Sequence, residues 1–426
     1  IDAARPATMW SRRAAHRVTQ EASPDMYSLH LTAEQREIRD TVRDFVTQEI
    51  KPVALKSSRL EAAERRFPPE MLAKISRMGL RTLALSEDNG GAAADNLTSC
   101  IVAEELAAGD VDMAFTLAHT SALGHVLFDK AMSAEQRGRF LPDFVEYDDY
   151  HLAYADREPG ADTALGAHYH RTTVPGEAPS TTASRTGSDF RVNGTKSLVV
   201  NAPLARLFAV TVTTDAGAGT LLIPAGTPGL TVREAENKRG WYHGVCGDVV
   251  LKDCKVPAAN LLEGPAAGAL KAQADGRGIP LTQAMNVGVG RAAFEAAVDY
   301  AKLRVQGARR IIEHQAMGTL LADCLVRLQT ARNAVWQAAW ASDHPEAVED
   351  RSVDDVPLTL IAEVYVAESM HRVALDAADV FGAMGVMRDM PLTKYVRDAL
   401  IFLHSGNGAA DTKLRIAEAL AGFERG

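Results

Sequence analysis

Short segments with β-strand character occupy the middle of this chain, and they limit its possible folds more than any other feature. Six such runs lie between residues 190 and 251, and each is three to six residues long. Turn-forming pairs separate them, including Asn193-Gly194 and Pro228-Gly229. Short strands at this spacing are typical of an antiparallel barrel or sandwich. The pattern predicts a β domain of about 110 residues in the middle of the chain.

Apolar residues recur at helical spacing on both sides of this β region. On the N-terminal side, capping-box sequences begin at Thr32 and Ser133. On the C-terminal side, long apolar or amphipathic stretches cover residues 287–304, 315–340 and 358–378. The order of helices, small β domain and helices predicts a chain that is mainly α with a central β domain.

Four segments follow from this order. We place a leader or disordered segment at residues 1–28, a helical domain at 29–150, a β domain at 151–265 and a helical bundle at 266–426. The first segment is rich in arginine and has no apolar stretch of the kind found in secretory signals. We expect it to be a leader outside the fold, with an organellar transit peptide as the alternative.

Charge and composition exclude several classes of protein. The net charge of −9 argues against broad binding to nucleic acid or to anionic membranes. No apolar run reaches the 18 or so residues that a membrane-spanning helix needs. The four cysteines form no C-x-x-C pair, and no cluster of metal-ligand residues stands out. We therefore expect a cytoplasmic protein with reduced thiols, no metal site and no membrane or nucleic-acid partner.

Four segments also resemble the motifs of a known family. Residues 154–161 are similar to Y-x-x-T-E-P-x-A, 192–201 to L-N-G-x-K-x-W-I-T-N, 300–315 to Y-x-x-x-R-x-x-F-G-x-x-I-x-x-x-Q, and 379–385 to Q-x-x-G-G-x-G. In this order the motifs resemble the acyl-CoA dehydrogenase family of flavoproteins, over about residues 30 to 425. The resemblance implies an N-terminal helical domain, a middle antiparallel β-barrel and a C-terminal four-helix bundle.

The resemblance implies FAD as cofactor. The residues at the family's FAD-contacting positions are Tyr154, Arg157, Thr163, Leu198, Val200, Arg304, Gln306, Gln315, Asp379, Gly382 and Gly408. Several depart from the family pattern: Arg157 replaces a Thr, Leu198 replaces the Trp that packs on the flavin, and Val200 replaces a Thr. Arg304 matches the Arg that meets the FAD pyrophosphate of a neighbouring subunit, a contact that bidentate phosphate recognition favours.

The family's catalytic carboxylate has no counterpart at its usual position. In the family, a carboxylate takes the α-proton of an acyl thioester while the β-hydride passes to the flavin. That position is Gly406 here, and the position used by another branch is Gly278. The backbone N–H of Gly406 could still hold the thioester oxygen. His404, Asp411 and Asp275 lie within a few residues of these positions and are the candidate replacements.

Three functions remain open at this point. The first is an FAD-dependent oxidoreductase acting on an acyl-CoA or another acyl thioester, with Phe115 and His119 lining the acyl pocket. The second is a non-catalytic partner subunit of a hetero-oligomeric acyl-CoA dehydrogenase. The third is a flavin-dependent monooxygenase or lyase on the same fold, for which Arg397, Asp398 and His404 offer a loose match. The resemblance also implies a homodimer or homotetramer, or an assembly with a homologous chain.

Overall fold

The chain folds into helices, then a sheet, then helices, which confirms the fold class expected from the sequence. The computed structural model describes residues 30–56, 60, 69–159, 179–234, 244–264, 270–344, 358–404 and 408–422. None of the helices within these ranges is both long enough and apolar enough to cross a bilayer.

The N-terminal part is helical. Its helices are α1 (Ala33–Phe45), α2 (Lys51–Ala54), α3 (Pro69–Arg77), α4 (Asn96–Ala107), α5 (Val111–Gly124) and α6 (Ala134–Glu146). Both predicted capping boxes are present, because Thr32 and Ser133 each exchange hydrogen bonds with a Gln three residues later. Every residue of α4 is buried. α4 therefore lies inside the fold, and α1 and α5 pack directly against it.

The middle part is a seven-stranded sheet. Its strands are β1 (His151–Ala155), β2 (Thr182–Thr186), β3 (Asp189–Val200), β4 (Ala205–Thr214), β5 (Gly217–Pro224), β6 (Leu230–Glu234) and β7 (Cys246–Pro257). The strand order is β1-β4-β2-β3-β7-β6, with β5 on β4. Most ladders are antiparallel, as expected, but β1 and β2 each pair parallel with β4. Local turn sequences do not reveal these two pairs, because parallel strands are joined by long connections.

The C-terminal part is a helical bundle. Its helices are α7 (Leu270–Leu303), α8 (Gln315–Asp343), α9 (Leu358–Phe381), α10 (Leu392–His404) and α11 (Gly408–Leu420). A small hairpin of β8 (Val305–Gln306) and β9 (Arg309–Arg310) joins α7 to α8. α7 starts at Leu270, well before the apolar stretch at residues 287–304 that indicated it in the sequence, and it carries Pro280 inside it. Packing against its neighbours therefore outweighs the lost backbone hydrogen bond.

α7 joins the two helical parts. It packs against α8, α9 and α10 and also against α4 and α5. One apolar core is consequently shared by the N-terminal and C-terminal helices, and a second lies inside the sheet. A third, which includes Phe128, Phe144 and Leu207, fills the space between α5, α6 and the sheet. The sheet and both helical parts therefore meet around α5 and α7.

Candidate active site

The end of β1, the end of β3 and the start of α7 come together at one place. The segment that follows β1 is held against β3, because the Ser197 N–H donates to the Arg157 carbonyl at 2.9 Å. From the other side, the Lys271 ammonium lies 3.1 Å from Asp156 and 3.3 Å from Asp275. The cofactor residues that the sequence placed on β1 and β3 are thus neighbours, and α7 lies beside them.

A buried ion pair fixes the segment after β1. The Lys196 side chain is fully buried and donates to Glu158 at 2.5 Å and to the Thr211 hydroxyl at 2.9 Å. Burial lowers the pKa of Lys196, although the Glu158 carboxylate opposes that shift. Burial alone would raise the pKa of Glu158, but hydrogen bonds from Lys196 and Ser180 outweigh it and lower that pKa. The pair ties the segment to β3 and β4.

Leu198 has a strained backbone at the position expected to face the flavin. Its φ is +53°, in the left-handed region that branched side chains rarely adopt. The ladder between β3 and β7 changes register between Lys196 and Val199, which creates a bulge around Leu198. The Leu198 N–H donates to Asp248 at 3.3 Å. Strain of this kind persists only where the surroundings hold it, and it is frequent at functional sites.

Tyr154 is the half-buried aromatic residue of this site. Burial raises its pKa far above the ordinary value, and the charges of Asp156 and Asp275 add to the shift. The phenol therefore stays neutral and keeps its proton as a hydrogen-bond donor. Val200, the other predicted cofactor residue on these strands, is half-buried and pairs with Cys246 of β7.

Asn201 connects this site to α5. Its buried side-chain amide donates to the Thr116 carbonyl at 3.1 Å, the Thr120 hydroxyl at 3.2 Å and the Leu152 carbonyl at 3.4 Å. Its φ of +63° is a second strained position at the same bend. The end of β3 is thereby fastened to β1 and to the middle of α5.

The two residues predicted to line the acyl pocket lie on this part of α5. The rings of Phe115 and His119 are in contact, with centroids 4.3 Å apart, and both side chains are half-buried. A Cβ added to Gly244, just before β7, would lie 3.6 Å from the Phe115 ring. Phe115 therefore faces the sheet, on the side where the predicted flavin residues lie.

A small, largely enclosed cavity lies behind this face of α5. Its volume is about 20 Å³, enough for about one water-sized group. Its walls come from α4, α5, α7 and the turn before α4, and most are apolar, including Leu106, Ala118 and Leu281. The polar side chains in the wall are Asn96, Ser99, Ser121 and Arg277.

The larger cavity, of about 340 Å³, lies elsewhere, between α1, α4, α7 and α8. It contains a network of ion pairs: Arg291 lies 3.1 Å from Glu104 and 2.7 Å from Glu105, Arg332 lies 2.7 Å from Glu104, and Arg43 lies 2.6 Å from Glu105. Burial would raise the pKa of Glu104, but Arg332 and Arg291 outweigh it and lower that pKa. Because these charges are already paired, we assign this cavity a structural role.

The remaining predicted cofactor residues lie at the opposite end of α7. Arg304, Gln306, Gln315, Asp379 and Gly382 are all exposed. The Tyr300 ring stacks on the Phe381 ring, with centroids 4.2 Å apart and planes 12° apart. Arg304 follows Tyr300 by one helical turn and Gly382 follows Phe381 directly, so they lie at the same end of the bundle. Within the described ranges, Arg304 forms no salt bridge.

Two of the predicted site residues, Thr163 and Gly406, lie outside the described residues. His404 is the exposed last residue of α10, and Gly408 begins α11 with a φ of +71°. The charged residues of α10 that precede His404 form hydrogen bonds inside the fold. The Lys394 ammonium donates to buried Asp398 at 2.6 Å, and Arg397 donates to a backbone carbonyl at 2.7 Å.

Glu363 is a candidate acid–base group that the sequence motifs did not indicate. It lies on α9, is 9% exposed and accepts a hydrogen bond from the Thr412 hydroxyl of α11 at 3.0 Å. Burial raises the pKa of Glu363, and the charges of Asp275 and Asp411 act in the same direction. Its only sequence signal is helical periodicity, since it shares the buried face of α9 with Val366 and its neighbours.

The other carboxyl candidates are less enclosed. Asp275 is exposed and pairs with Lys271 at 3.3 Å, while Asp411 is half-buried near the start of α11. Both aspartates lie close enough to Glu363 for their charges to add to the rise in its pKa. α7, α9 and α11 thus each contribute a carboxyl to one region, close to the junction of α10 and α11.

Comparison with known proteins adds three family matches in chain order. The acyl-CoA dehydrogenase N-terminal domain matches residues 32–148, the middle domain matches 170–254, and the C-terminal domain matches 277–420. An acyl-CoA dehydrogenase of Bacillus subtilis (strain 168) is 29% identical over 384 residues, which cover 88% of this chain and 94% of that protein.

A mitochondrial relative and a solved structure are similar over the same extent. The short-chain specific acyl-CoA dehydrogenase of Mus musculus is 29% identical over 384 residues, covering 88% of this chain and 87% of that protein. The structure of butyryl-CoA dehydrogenase from Megasphaera elsdenii superposes with a TM-score of 0.79 at 24% identity, covering 93% of this chain and 100% of that one.

Proposed function

This chain belongs to the acyl-CoA dehydrogenase family, and from that premise we propose that it is an FAD-dependent enzyme that dehydrogenates an acyl thioester between its α- and β-carbons. The observation that carries the proposal is the match of three family domains, in order, to the helical, sheet and helical parts of one fold. The meeting of β1, β3, α5 and α7 beside a small apolar cavity supports it.

The residues present fit a flavin dinucleotide. At one end, Leu198 has a φ of +53° near the C-terminal end of β3. A packing contact between its side chain and a ring system would explain this strained backbone. At the other end, Arg304 is an exposed cation suited to a pyrophosphate. Bound FAD would supply the hydride acceptor. Tyr154, Leu198 and Val200 would hold the ring end, and Arg304 and Gly382 the diphosphate end.

The two ends belong to different copies of the chain in this proposal. Asp275, beside the ring end, and Arg304, at the diphosphate end, are 29 positions apart. A helical rise of 1.5 Å per residue puts them about 40 Å apart along α7. A dinucleotide does not bridge that distance, so a second copy has to present its Arg304 to the ring end of the first. A homodimer, or a homotetramer built from such pairs, satisfies this requirement.

The acyl group would lie between α5 and the start of α7. Phe115 and His119 would contact it, and the cavity behind them would take its far end. The cavity of about 20 Å³ favours a short acyl chain. In agreement, relatives include enzymes named as short-chain specific and as isobutyryl-CoA dehydrogenases.

The α-proton needs an acceptor, since Gly406 has no side chain to supply one. A base for a weakly acidic C–H works best when its pKa is raised toward neutrality. Among the described carboxyls near the α10–α11 junction, Glu363 is the buried one with a raised pKa. We therefore propose Glu363 as the proton acceptor. Asp411, Asp275 and His404 are the alternatives.

Anaerobic flavin bleaching tests the function. Purified protein should be yellow, and short acyl-CoAs should bleach the absorbance near 450 nm without any added reductase. Protein that is colourless and does not take up FAD would rule the proposal out. Bleaching only by a separate reductase would instead indicate the monooxygenase alternative. A yellow protein that no acyl thioester bleaches, and that copurifies with a homologous chain, would indicate the non-catalytic partner.

A further inference from the structure

The hairpin that joins α7 to α8 has a fixed register. Gln306 pairs directly with Arg309, and the two residues between them, Gly307 and Ala308, have φ values of +59° and +65°. Positive φ at both central residues is typical of the tight two-residue turns that match the twist of a hairpin. This register decides which side chains share a face.

Two arginines lie on one face of this hairpin. Directly paired residues have their side chains on the same face, so Gln306 and Arg309 share one. The Ile311 N–H donates to the Arg304 carbonyl at 2.8 Å, which continues the ladder by two positions. Because side chains alternate along a strand, Arg304 lies on that face as well. Arg310, the residue after Arg309, lies on the opposite face.

His314 holds the Arg309 side chain in place. The Arg309 Nη2 lies 3.2 Å from Nδ1 of the His314 ring, and the Nε2 of that ring lies 3.0 Å from the Gln306 carbonyl oxygen. A guanidinium can only donate a hydrogen bond, and a carbonyl oxygen can only accept one. Nδ1 therefore accepts from Arg309, and Nε2 carries the ring proton and donates to Gln306. This bridge limits the motion of an exposed arginine.

The two guanidinium groups can contact one ligand. Arg304 and Arg309 are diagonal neighbours in the ladder, a separation of about 7–8 Å that long side chains can span. Both side chains are exposed, and within the described ranges neither forms a salt bridge. A planar guanidinium can donate two hydrogen bonds to one phosphate group. Two such groups on one face match the two adjacent negative charges of a diphosphate.

We propose that Arg309 is a second diphosphate-binding residue, positioned by His314, which acts with Arg304 on the FAD whose ring end lies in the partner chain. Arg304 is the residue that the sequence motif indicates, and Arg309 follows from the register of the hairpin. This inference rests on the proposed function, because it adds a residue to the same cofactor site. Arg310 has no part in that site, since its side chain lies on the other face.

Cofactor affinity tests the inference without any turnover. The full-length protein, freed of flavin, is titrated with FAD and with FMN, which has the same ring system but no diphosphate. Arg309→Met should weaken FAD binding by about tenfold or more, the usual loss for a hydrogen bond to a charged group, and leave FMN binding unchanged. Its FAD affinity should also fall less steeply with added salt. Arg310→Met is the matched control and should bind both flavins like the wild type.

A double-variant cycle tests the role of His314. His314→Leu removes the acceptor for Arg309 and should weaken FAD binding by about fivefold. In the Arg309→Met background the same change should have little further effect, because His314 acts through Arg309. An equal loss in both backgrounds would show that His314 supports the hairpin and does not position Arg309.

Failure of this inference can be distinguished from failure of the proposed function. If short acyl-CoAs bleach the wild-type flavin while Arg309→Met binds FAD normally, the dehydrogenase proposal stands and the role of Arg309 is refuted. An equal loss of FAD affinity in Arg310→Met would refute that role as well. If Arg309→Met loses FAD affinity but no acyl thioester bleaches the wild-type flavin, the dehydrogenase proposal fails and the role of Arg309 stands.

Discussion

At the scale of single residues, Glu363 is the proposed acceptor of the substrate's α-proton. Glu363→Gln keeps the shape of the side chain and an oxygen that accepts the hydrogen bond from Thr412. The amide cannot take up a proton. We expect it to lower kcat by about 10²–10⁴-fold, the usual contribution of a general base, with little change in KM. Stopped-flow bleaching of the flavin measures this directly.

A control and a rescue make this prediction specific. Glu368 lies on the same helix, α9, and pairs with Lys413 of α11 at the surface, so Glu368→Gln should leave kcat unchanged. Adding Gly406→Glu to the Glu363→Gln variant should restore part of the lost rate, because it puts a carboxylate back at the family's usual position. Full activity of Glu363→Gln would show that another group takes the proton.

The raised pKa of Glu363 also predicts a pH dependence of stability. A carboxyl whose folded pKa lies above its unfolded value stabilises the fold below that unfolded value, near 4.5, and the contribution is lost as pH rises through the folded pKa. Glu363→Gln should therefore raise Tm by a few degrees at pH 8 and have almost no effect at pH 4. Calorimetric Tm values from pH 4 to 8 test this, and equal Tm differences throughout would contradict it.

At the scale of elements, the Lys196–Glu158 pair should hold the segment after β1 against the sheet. Lys196→Met would leave Glu158 without its buried partner. Breaking a buried pair costs about 3–5 kcal/mol of unfolding free energy, and we expect the lower end because Glu158 is 23% exposed. Urea denaturation gives the value. The matched control is Lys255→Met, whose pair with Asp189 is 59% exposed on the lysine side and should contribute only about 0.5 kcal/mol or less.

The same variant should lose flavin. If this segment holds the ring end, Lys196→Met will have a lower ratio of absorbance at 450 nm to 280 nm after gel filtration, and Lys255→Met will not. A Lys196→Met protein that is destabilised but retains its full flavin content would mean that the segment has a structural role only.

Local sequence signals predicted most of the elements but not how they are brought together. Thr32 and Ser133 predicted the starts of their helices, because a capping box involves only residues within one helical turn. The parallel pairing of β1 with β4 joins residues about 55 positions apart, for example Leu152 and Leu207, and no local signal encodes it. Glu363 was not singled out for the same reason, since burial by distant helices gives it its chemical character.

At the scale of the whole molecule, the length of α7 separates the two halves of the proposed cofactor site. The ring end lies where α7 begins, and Arg304 lies just beyond its last residue. Arg304→Ala should therefore abolish flavin retention, measured by absorbance and by the FAD released on denaturation. Arg310→Ala, an exposed arginine on the adjoining hairpin, is the matched control and should retain flavin.

Mixing two inactive variants tests whether the site is shared between copies. In a dimer of one Arg304→Ala chain and one Glu363→Gln chain, the first chain's ring end keeps Glu363 and receives Arg304 from its partner, so one of the two sites is complete. The other site lacks both groups. We expect co-refolded variants at equal ratio to recover about a quarter of wild-type activity, because about half of the dimers are mixed and each has one working site.

The outcome separates shared from single-chain sites. If FAD were held by one chain alone, each variant chain would stay defective in any mixture, and activity would remain at the level of the separate variants. Differently tagged chains, purified through both tags, isolate the mixed species, which should then show about half of the wild-type activity and bind about one FAD per two chains. Activity that rises only in the doubly tagged fraction would place Arg304 in its partner's active site.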